Sequence, residues 1–358
     1  MIGNTFVMDA VVHPWNLGPE NQDPRALDVL EAVYGSHRLA LDEAHADYIL
    51  QRDEIFSDIS FDTVATAEFV ESPVDFAILH ALPCLGFTLG NVTLPERAIA
   101  FRNKHPDRFK CYGTVGTPVV KTAIDEIKRQ VDELDIDGVK LYPSFFYDGK
   151  GEGWRLDGDD YATPLLEAAQ KMGIRHVAIH KALWLAPAPK SAFAIDDLDN
   201  PLQHFPDIQF EMVHGGAAFL EQTIRLMERH PNLHMTLEST FAYILTRRSH
   251  FDRAIGMLIG ALGSERLLFA SGNNLSHPLP LISTFANYQF ADEHRERFKL
   301  PVLTEQDRRN ILGLNAARLH GLDVKTVIAN TCDDEFARAR KRGTPGPWSA
   351  IRQTPSPR

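Results

Sequence analysis

The sequence contains few cysteines. Among its 358 residues there are only three, Cys84, Cys111 and Cys332, which lie far apart and are odd in number. Such a set argues against a disulfide framework and against a zinc ribbon, because both need paired or closely spaced cysteines. We therefore expect a protein of a reducing compartment, the cytoplasm.

Long apolar runs and an excess of basic residues are also missing. No uninterrupted apolar run is long enough to cross a bilayer, and residues 1–9 lack the basic start and apolar core of a secretion signal. Lys and Arg number 37 against 48 Asp and Glu, a formal net charge of -11. Because an acidic surface repels phosphate groups, neither nucleic acid nor a membrane is expected as a partner.

What the sequence does contain is a regular alternation of short apolar runs and amphipathic stretches. The apolar runs predict eight strands at residues 5–11, 74–80, 109–115, 138–142, 174–180, 208–214, 233–238 and 266–271. The stretches between them predict helices at 62–71, 95–104, 121–134, 161–172, 217–229 and 250–262, and a last helix at 304–320 with Thr304 as its N-cap. This pattern predicts an α/β protein, a (β/α)8 TIM barrel.

Two segments do not follow this alternation. Residues 15–59, after the first strand, are too long for a simple loop and are predicted to form a helical cap over the barrel mouth. Residues 324–358, after a barrel domain at 1–323, have seven basic residues, three acidic residues and four prolines. This basic, proline-rich tail is predicted to be a disordered end or an arm that wraps an acidic partner subunit.

Polar side chains recur where the predicted strands end. His13, His80, His180 and His214 each follow or end a strand, and Glu238 ends the seventh. Barrel enzymes carry their catalytic groups at this rim, and neutral imidazoles that point to one spot suit a transition metal. A single histidine at such a place is more often structural, and Glu238 could simply accept bonds from loop amides.

Several motifs, in order, give the chain a family resemblance. They are VMDAVVH at 7–13, FRNKHPDRF at 101–109, GVKLYP at 138–143, AAQKMG at 168–173, VHGG at 213–216, RHPN at 229–232, LLF at 267–269 and NILGLNAARL at 310–319. With them the chain resembles the amidohydrolase superfamily, specifically the branch of aminocarboxymuconate semialdehyde decarboxylase and the resorcylate decarboxylases. The resemblance implies a metal-dependent barrel enzyme with ligands at the strand ends.

The metal ligands that the resemblance implies are only partly present. His13, His180 and His214 match family positions on strands one, five and six. The first ligand position of strand one holds Val11, however, and the aspartate position of strand eight holds Gly272. Glu238 is the nearby carboxylate that could complete a site with His13, His180 and His214. That set suits a divalent metal, zinc first, with iron or manganese as alternatives and a metal-free site left open.

Three functions are compatible with these residues. The first is a metal-dependent lyase or hydrolase, decarboxylase-like, for a small carboxylic acid, with His214 as the catalytic proton carrier. Lys140 and Tyr142, together with Arg247 or Arg248, would hold the substrate carboxylate. The second is a subunit of an amidohydrolase-fold monooxygenase. The third is a non-catalytic partner subunit with a reduced or structural metal site. A homodimer, or a hetero-oligomer with a paralogous subunit, is expected in each case.

Overall fold

Eight parallel strands form the centre of the protein. The computed structural model describes residues 2–147 and 150–352. In chain order, which is also their order in the sheet, the strands are β1 Met8–Val12, β2 Phe76–His80, β3 Phe109–Thr114, β4 Gly138–Leu141, β5 His176–His180, β6 Gln209–Val213, β7 Leu233–Thr236 and β8 Leu267–Leu268. The predicted (β/α)8 TIM barrel is confirmed, and each predicted strand end lies within three residues of the observed one.

The barrel closes between β8 and β1. Ala10 N donates a hydrogen bond to Phe269 O, and His13 N donates to Asn273 O, each at 3.0 Å. The chain beyond Leu268 therefore continues beside β1, although it no longer forms a regular strand. This continuation brings residues 271–274 to the rim where His13 lies.

Helices surround the strands and bury one face each. In Val120–Leu134, for example, Ala123, Ile127 and Gln130 are buried while the charged side chains between them face outward. The α-helices are Leu27–Arg38, Arg52–Ile55, Phe61–Phe69, Pro95–Lys104, Val120–Leu134, Ala162–Lys171, Asp199–His204, Leu220–Arg229, Tyr243–Thr246, Arg248–Leu262, Pro278–Ala286, Asp292–Phe298, Glu305–Arg309, Asn315–Leu319, Val324–Thr331, Glu335–Lys341 and Ser349–Arg352. Within the described residues, no helix combines the length and apolarity that a membrane span would require.

The helix predicted at 304–320 is interrupted. It runs as Glu305–Arg309, a π-helical turn Asn310–Leu314, and Asn315–Leu319, with the predicted N-cap Thr304 forming a capping box with Asp307. Gly313 lies in the π-helical turn, where a Cβ would come within 2.5 Å of Phe6 O. The wider turn therefore fits where the helix backbone presses against the chain that leads into β1.

The cap insertion is helical, as predicted. Its main helix, Leu27–Arg38, lies over the C-terminal end of the strands, and a shorter 3-10 segment, Glu43–Tyr48, and helix Arg52–Ile55 follow. His37, buried at the end of the main helix, faces Leu275 O with Nδ1 at 2.9 Å and Leu50 O with Nε2 at 3.2 Å. These contacts fasten the cap to the barrel rim.

The tail contradicts both sequence predictions across residues 324–352. It is neither disordered nor free to wrap a partner, because its three helices pack on the chain's own barrel and cap. Arg108 pairs with Asp334 at 2.6 Å, and the fully buried Trp348 donates from its indole to Tyr48 O in the cap at 2.8 Å. Pro355, Pro357 and Arg358 lie outside the described residues.

Candidate active site

A cavity of about 470 Å³ lies between the cap and the C-terminal ends of the strands. Apolar side chains from the cap helix and the βα loops form most of its wall, including Val29, Val33, Leu85 and Leu185. Of the residues that the sequence predicts for metal or substrate binding, all but Arg248, the alternative to Arg247, line it: His13, Lys140, Tyr142, His180, His214, Glu238 and Arg247. The barrel therefore brings the predicted polar groups to one place, beneath an apolar chamber.

Three of these side chains form a hydrogen-bonded chain. Glu238 Oε2 lies 2.9 Å from His214 Nδ1, and His214 Nε2 lies 2.9 Å from His180 Nδ1. His180 Nε2 in turn faces the carbonyl of Leu183 at 2.8 Å. The Ser239 hydroxyl is a weaker neighbour of His214 Nδ1, at 3.4 Å.

The partners in this chain determine where its protons lie. The Leu183 carbonyl can only accept, so His180 carries its proton on Nε2 and accepts at Nδ1. His214 must then donate from Nε2 to His180 and from Nδ1 to Glu238, which makes it an imidazolium. Burial alone would raise the pKa of Glu238, but its ion pair and hydrogen bond with His214 lower that pKa to about 2. The chain thus holds one extra proton on His214, balanced by the Glu238 carboxylate.

The backbone aims His214 at this position. His214 has φ +81°, in the left-handed region that non-glycine residues rarely adopt, and Gly215 and Gly216 follow at +66° and +57°. A Cβ on Gly215 would meet the Thr240 hydroxyl at 2.6 Å, while that hydroxyl donates to His214 O at 2.8 Å. The two glycines therefore let the turn after β6 approach the neighbouring loop closely, and the strained φ falls on the residue with the proton.

Gly272 explains how Glu238 reaches the cavity. A Cβ at residue 272 would lie 2.4 Å from Glu238 Oε1 and 2.8 Å from its Cδ, and Gly272 has φ +62°. The Glu238 side chain thus occupies the space into which any side chain after β8 would project. The carboxylate that the family resemblance leads one to expect from strand eight is supplied here from the end of β7.

His13 lies apart from the hydrogen-bonded chain. Its ring stacks on Trp15 at 5.4 Å, and its buried Nδ1 has no hydrogen-bond partner in the described part of the chain. Burial lowers the pKa of His13 to about 4, so the ring is neutral. Val11, two residues earlier, is buried among apolar side chains of the barrel interior.

Lys140 and Tyr142 form the remaining polar part of the cavity. Lys140 Nζ lies 5.2 Å from the centre of the Tyr142 ring, which also packs against His180. Burial lowers the pKa of Lys140 to about 8, with Glu238 and Glu211 opposing that shift. Lys140 Nζ makes no hydrogen bond to any residue in 2–147 or 150–352. At neutral pH it is therefore a buried ammonium facing the cavity.

The two arginines considered from the sequence differ in position. Arg247 is exposed at the cavity mouth, with its guanidinium 5.4 Å from the Tyr243 ring. Arg248 points elsewhere and donates to Tyr288 OH and Gln289 O. Of the four rim histidines, His80 does not line the cavity, since it is fully buried and stacks on Tyr112.

The side chains do not fit a preformed divalent-metal site in this cavity. Both ring nitrogens of His180 and of His214 are engaged, and His214 stands between His180 and Glu238. Among the described residues, the group of three or more potential ligands whose atoms all lie within 4.8 Å of one another is a different one, His176, Glu211 and His320. The four predicted ligands share a cavity but do not converge on one point.

Sequence reasoning missed several contributors to the cavity. Trp15, Ser239 and the Leu183 carbonyl each contact a predicted residue, and Trp184 lies at the mouth with half its surface exposed. Only Ser239 carried a signal, because it follows Glu238 at a predicted strand end. The others lie in loops whose course depends on the folded barrel.

The fold and the family are matched by known proteins. The amidohydrolase family model matches residues 87–322. An uncharacterised TIM-barrel protein from Bordetella bronchiseptica has a TM-score of 0.62 at 19% identity, covering 88% of this chain and 98% of its own. No curated protein matches the sequence.

Two further solved structures carry descriptive names. A 5-carboxyvanillate decarboxylase from Novosphingobium aromaticivorans, complexed with manganese and 4-hydroxy-3-methoxy-5-nitrobenzoic acid, has a TM-score of 0.50 at 16% identity, covering 89% of this chain and 97% of its own. A probable 2-pyrone-4,6-dicarboxylic acid hydrolase from Acinetobacter baumannii, with citric acid bound, has a TM-score of 0.51 at 11% identity, covering 88% and 99%. At these identities the likeness supports the fold alone.

Proposed function

Because the chain belongs to the amidohydrolase family, we propose that it is an acid–base enzyme, a lyase or hydrolase, for a small carboxylic acid with an apolar body. The observation that carries the proposal is Lys140, a buried ammonium that faces the cavity. It lies close enough to Glu238, His13 and His180 to influence the pKa of each. An anionic substrate would pair with this ammonium and so offset its burial cost.

The cavity favours an aromatic or similarly flat acid. Its volume suits a ligand of a dozen or so heavy atoms, and its wall is mostly apolar with a few polar groups at one end. The two named relatives support this class, since one is a decarboxylase of an aromatic acid and the other a probable hydrolase of a dicarboxylic acid.

Decarboxylation is the reaction that the hydrogen-bonded chain suits best. The bond between the substrate's carboxylate and its neighbouring carbon would break, and the electron pair of that bond would take up the Nε2 proton of His214, once the substrate replaces His180 Nδ1 as the acceptor of that proton. Carbon dioxide leaves, and a carbon–hydrogen bond replaces the lost bond. Glu238 keeps His214 protonated in the resting site, and His180 positions the ring. Hydrolysis fits less well, because among the described residues the only carboxylate that lines the cavity, Glu238, is already paired with His214.

A metal in this cavity stays a prediction of the family resemblance. Zinc, iron or manganese held by His13, His180, His214 and Glu238 would require His214 to give up its present partners. We therefore derive no step through a metal. Metal analysis of the purified protein and of a His180→Gln variant tests the point, because a cavity metal would be lost from the variant.

The monooxygenase alternative rests on the set of three histidines and Glu238, and the partner-subunit alternative on Val11 and Gly272, which stand where the family resemblance leads one to expect ligands. The tail no longer supports them, since residues 324–352 pack on the chain's own barrel. Purification of the protein from its native host would decide. A paralogous subunit that co-purifies in fixed ratio, with activity only in the pair, would replace the present proposal.

Lys140→Met tests the substrate class. We expect it to weaken binding of a hydroxybenzoate probe at pH 7 by about 10- to 100-fold, because a charge-assisted hydrogen bond contributes roughly 1.5–3 kcal/mol. Binding to the unmodified protein should also weaken above about pH 8, where Lys140 loses its proton. Titration calorimetry at pH 7 and pH 9.5 measures both effects.

Lys150→Met, at an exposed residue of the short strand Lys150–Gly153 outside the barrel sheet, is the matched control, and Lys140→Arg should retain part of the affinity. Lys140→Met should fold at least as well as the unmodified protein, since it removes a buried charge. Equal affinity in Lys140→Met and in the control would refute the proposal that Lys140 binds the substrate carboxylate.

A further inference from the structure

A second group of titratable side chains lies inside the barrel, away from the cavity. His176 begins β5 and Glu211 is the third residue of β6, while His320 ends the last barrel helix. His176 precedes His180 by four residues on the same strand, a separation of about 13 Å at roughly 3.3 Å per residue. The group therefore lies toward the N-terminal end of the strands, and none of its members lines the cavity.

The three side chains converge on one point. Glu211 Oε1 lies 3.8 Å from His176 Nδ1 and 3.8 Å from His320 Nε2, and the two imidazole rings are 4.4 Å apart. One ligand atom from each residue lies within 4.8 Å of the others. These separations are too long for hydrogen bonds, and small rotations of the three side chains would bring their ligand atoms to the bond lengths of about 2.0–2.2 Å that one zinc ion requires.

Several polar atoms of these three side chains have no hydrogen-bond partner. Glu211 Oε2, His176 Nδ1 and both ring nitrogens of His320 are buried without a hydrogen bond to a described residue. The Glu211 and His320 side chains are 0% and 1% exposed. Burial of a polar atom without a partner costs free energy, so such a concentration calls for an occupant.

Glu211 Oε1, the oxygen that faces both histidines, is held in place, while Oε2 is the oxygen left without a partner. Tyr112 donates its hydroxyl hydrogen to Glu211 Oε1. Burial lowers the pKa of His176 to about 4 and that of His320 well below its ordinary value, so both rings are neutral, the form that binds a metal. Burial raises the pKa of Glu211 to about 7, which a nearby dication would reverse.

We propose that His176, Glu211 and His320 bind a divalent transition-metal ion, with Tyr112 orienting the carboxylate. Two imidazoles and one carboxylate are a set typical of zinc, and a hydrogen-bonded second partner such as Tyr112 commonly fixes a ligating carboxylate. The ion joins β5 and β6 to the last barrel helix. Its role is structural, because the N-terminal end of a TIM barrel serves stability rather than catalysis.

Metal titration of the metal-free protein tests the site. Protein stripped with a chelator is titrated with Zn²⁺, and in parallel with Co²⁺, whose visible spectrum reports coordination geometry. We expect one equivalent to bind, a tetrahedral Co²⁺ spectrum, and a rise in Tm that grows with free Zn²⁺. This equivalent should be lost from His320→Gln and from His176→Gln, whose ring is partly exposed and whose fold is thus less at risk.

Two matched variants separate this site from its surroundings. His234→Gln removes a neighbouring, mostly buried histidine that bonds Gln209 instead, and His180→Gln removes a cavity histidine. Both should keep the equivalent that His176→Gln loses. If the unmodified protein binds no ion, or if His176→Gln binds as much Zn²⁺ as His234→Gln does, the proposal is wrong and ordered water fills the point of convergence.

Discussion

At the scale of single residues, Glu238 determines the charge balance of the cavity. It is the carboxylate opposite the His214 imidazolium, and Lys140 lies near enough to add to the positive charge it balances. Without it, two buried cations would face each other across an apolar chamber. The pairing therefore serves both the fold and the proposed proton transfer, since it stores the proton on His214.

The free energy of unfolding should depend on pH because of the Glu238–His214 ion pair. We expect Glu238→Gln to lower the free energy of unfolding at pH 7 by about 3 kcal/mol, because it leaves a buried charge without its partner. The pKa of Glu238 falls from its ordinary value of 4.5 to about 2 on folding. Its contribution is thus complete above pH 4.5 and is lost as the pH falls toward 2.

Urea unfolding of Glu238→Gln and of the unmodified protein between pH 2 and 7 measures this difference. The gap between the two free energies should close across the acid range. Exposed Glu152→Gln is the control and should leave the profile unchanged. A gap that stays constant from pH 7 to pH 2 would show that Glu238 is not ionised in the folded protein.

At the scale of secondary-structure elements, the ends of β7 and β8 depend on each other, because they share one space. Glu238 follows β7, Gly272 follows β8, and the glutamate side chain fills the space beside the glycine. The two positions cannot both carry an inward side chain. Glu238 thus provides, from the end of β7, a carboxylate where the family resemblance leads one to expect one from the end of β8.

Gly272→Asp should therefore be harmful, even though it restores the residue type that the family resemblance predicts. The new Cβ would meet the Glu238 carboxylate, and an aspartate would have to adopt φ +62°. We expect a loss of at least 2 kcal/mol in the free energy of unfolding. Adding Glu238→Ala should recover 1 kcal/mol or more, a coupling that denaturant unfolding of the two single variants and the double variant measures. Strictly additive effects would contradict the shared space.

Trp348 connects three parts of the chain at the scale of the whole molecule. Its backbone N–H bonds to Glu71 after helix Phe61–Phe69, its indole bonds to Tyr48 in the cap, and its ring packs on His277. The tail thus contacts the cap and helps to hold it in place. The cap in turn forms the apolar wall of the cavity, so the tail acts on the site without touching it.

Truncation of this anchor should loosen the cap. We expect Trp348→Ala to lower the free energy of unfolding by about 3–5 kcal/mol, because it empties a buried aromatic site. Residues 39–51 of the cap should then exchange their amide hydrogens faster, which hydrogen exchange with mass spectrometry measures. The exposed Trp184→Ala, at the cavity mouth, is the control and should change neither quantity. Faster exchange confined to residues 324–352 would contradict a role for Trp348 in holding the cap.

Much of the fold was predictable because each strand–helix unit is encoded by a short, continuous stretch of sequence. The eight strands and the barrel helices follow from apolar runs that parallel strands bury on both faces. The residues of the cavity were predictable for the same reason, since alternation along a strand fixes which side chains reach the rim. His80 shows the limit of that argument, because it ends β2 and yet is fully buried against the Tyr112 ring, away from the cavity.

What the sequence did not reveal depends on contacts between distant segments. The tail was misread as disordered because its charge and proline content resemble those of a free end, whereas Arg108, Glu71 and Tyr48 provide its partners. The hydrogen-bonded chain was read as a ligand cluster because spacing shows which residues meet but not which lone pairs are engaged. The group at His176 had no signal in the sequence, because His320 joins it from more than a hundred residues away.

The glycine beside Glu238 also constrains how this protein could have evolved. With the glutamate turned inward, every side chain larger than hydrogen is blocked at residue 272. The aspartate that the family resemblance leads one to expect there could therefore arise only together with a second change at residue 238. Relatives of this chain should accordingly carry an inward glutamate only where glycine stands at the position of Gly272, and a sequence with both carboxylates would be evidence of a different course for one of the two loops.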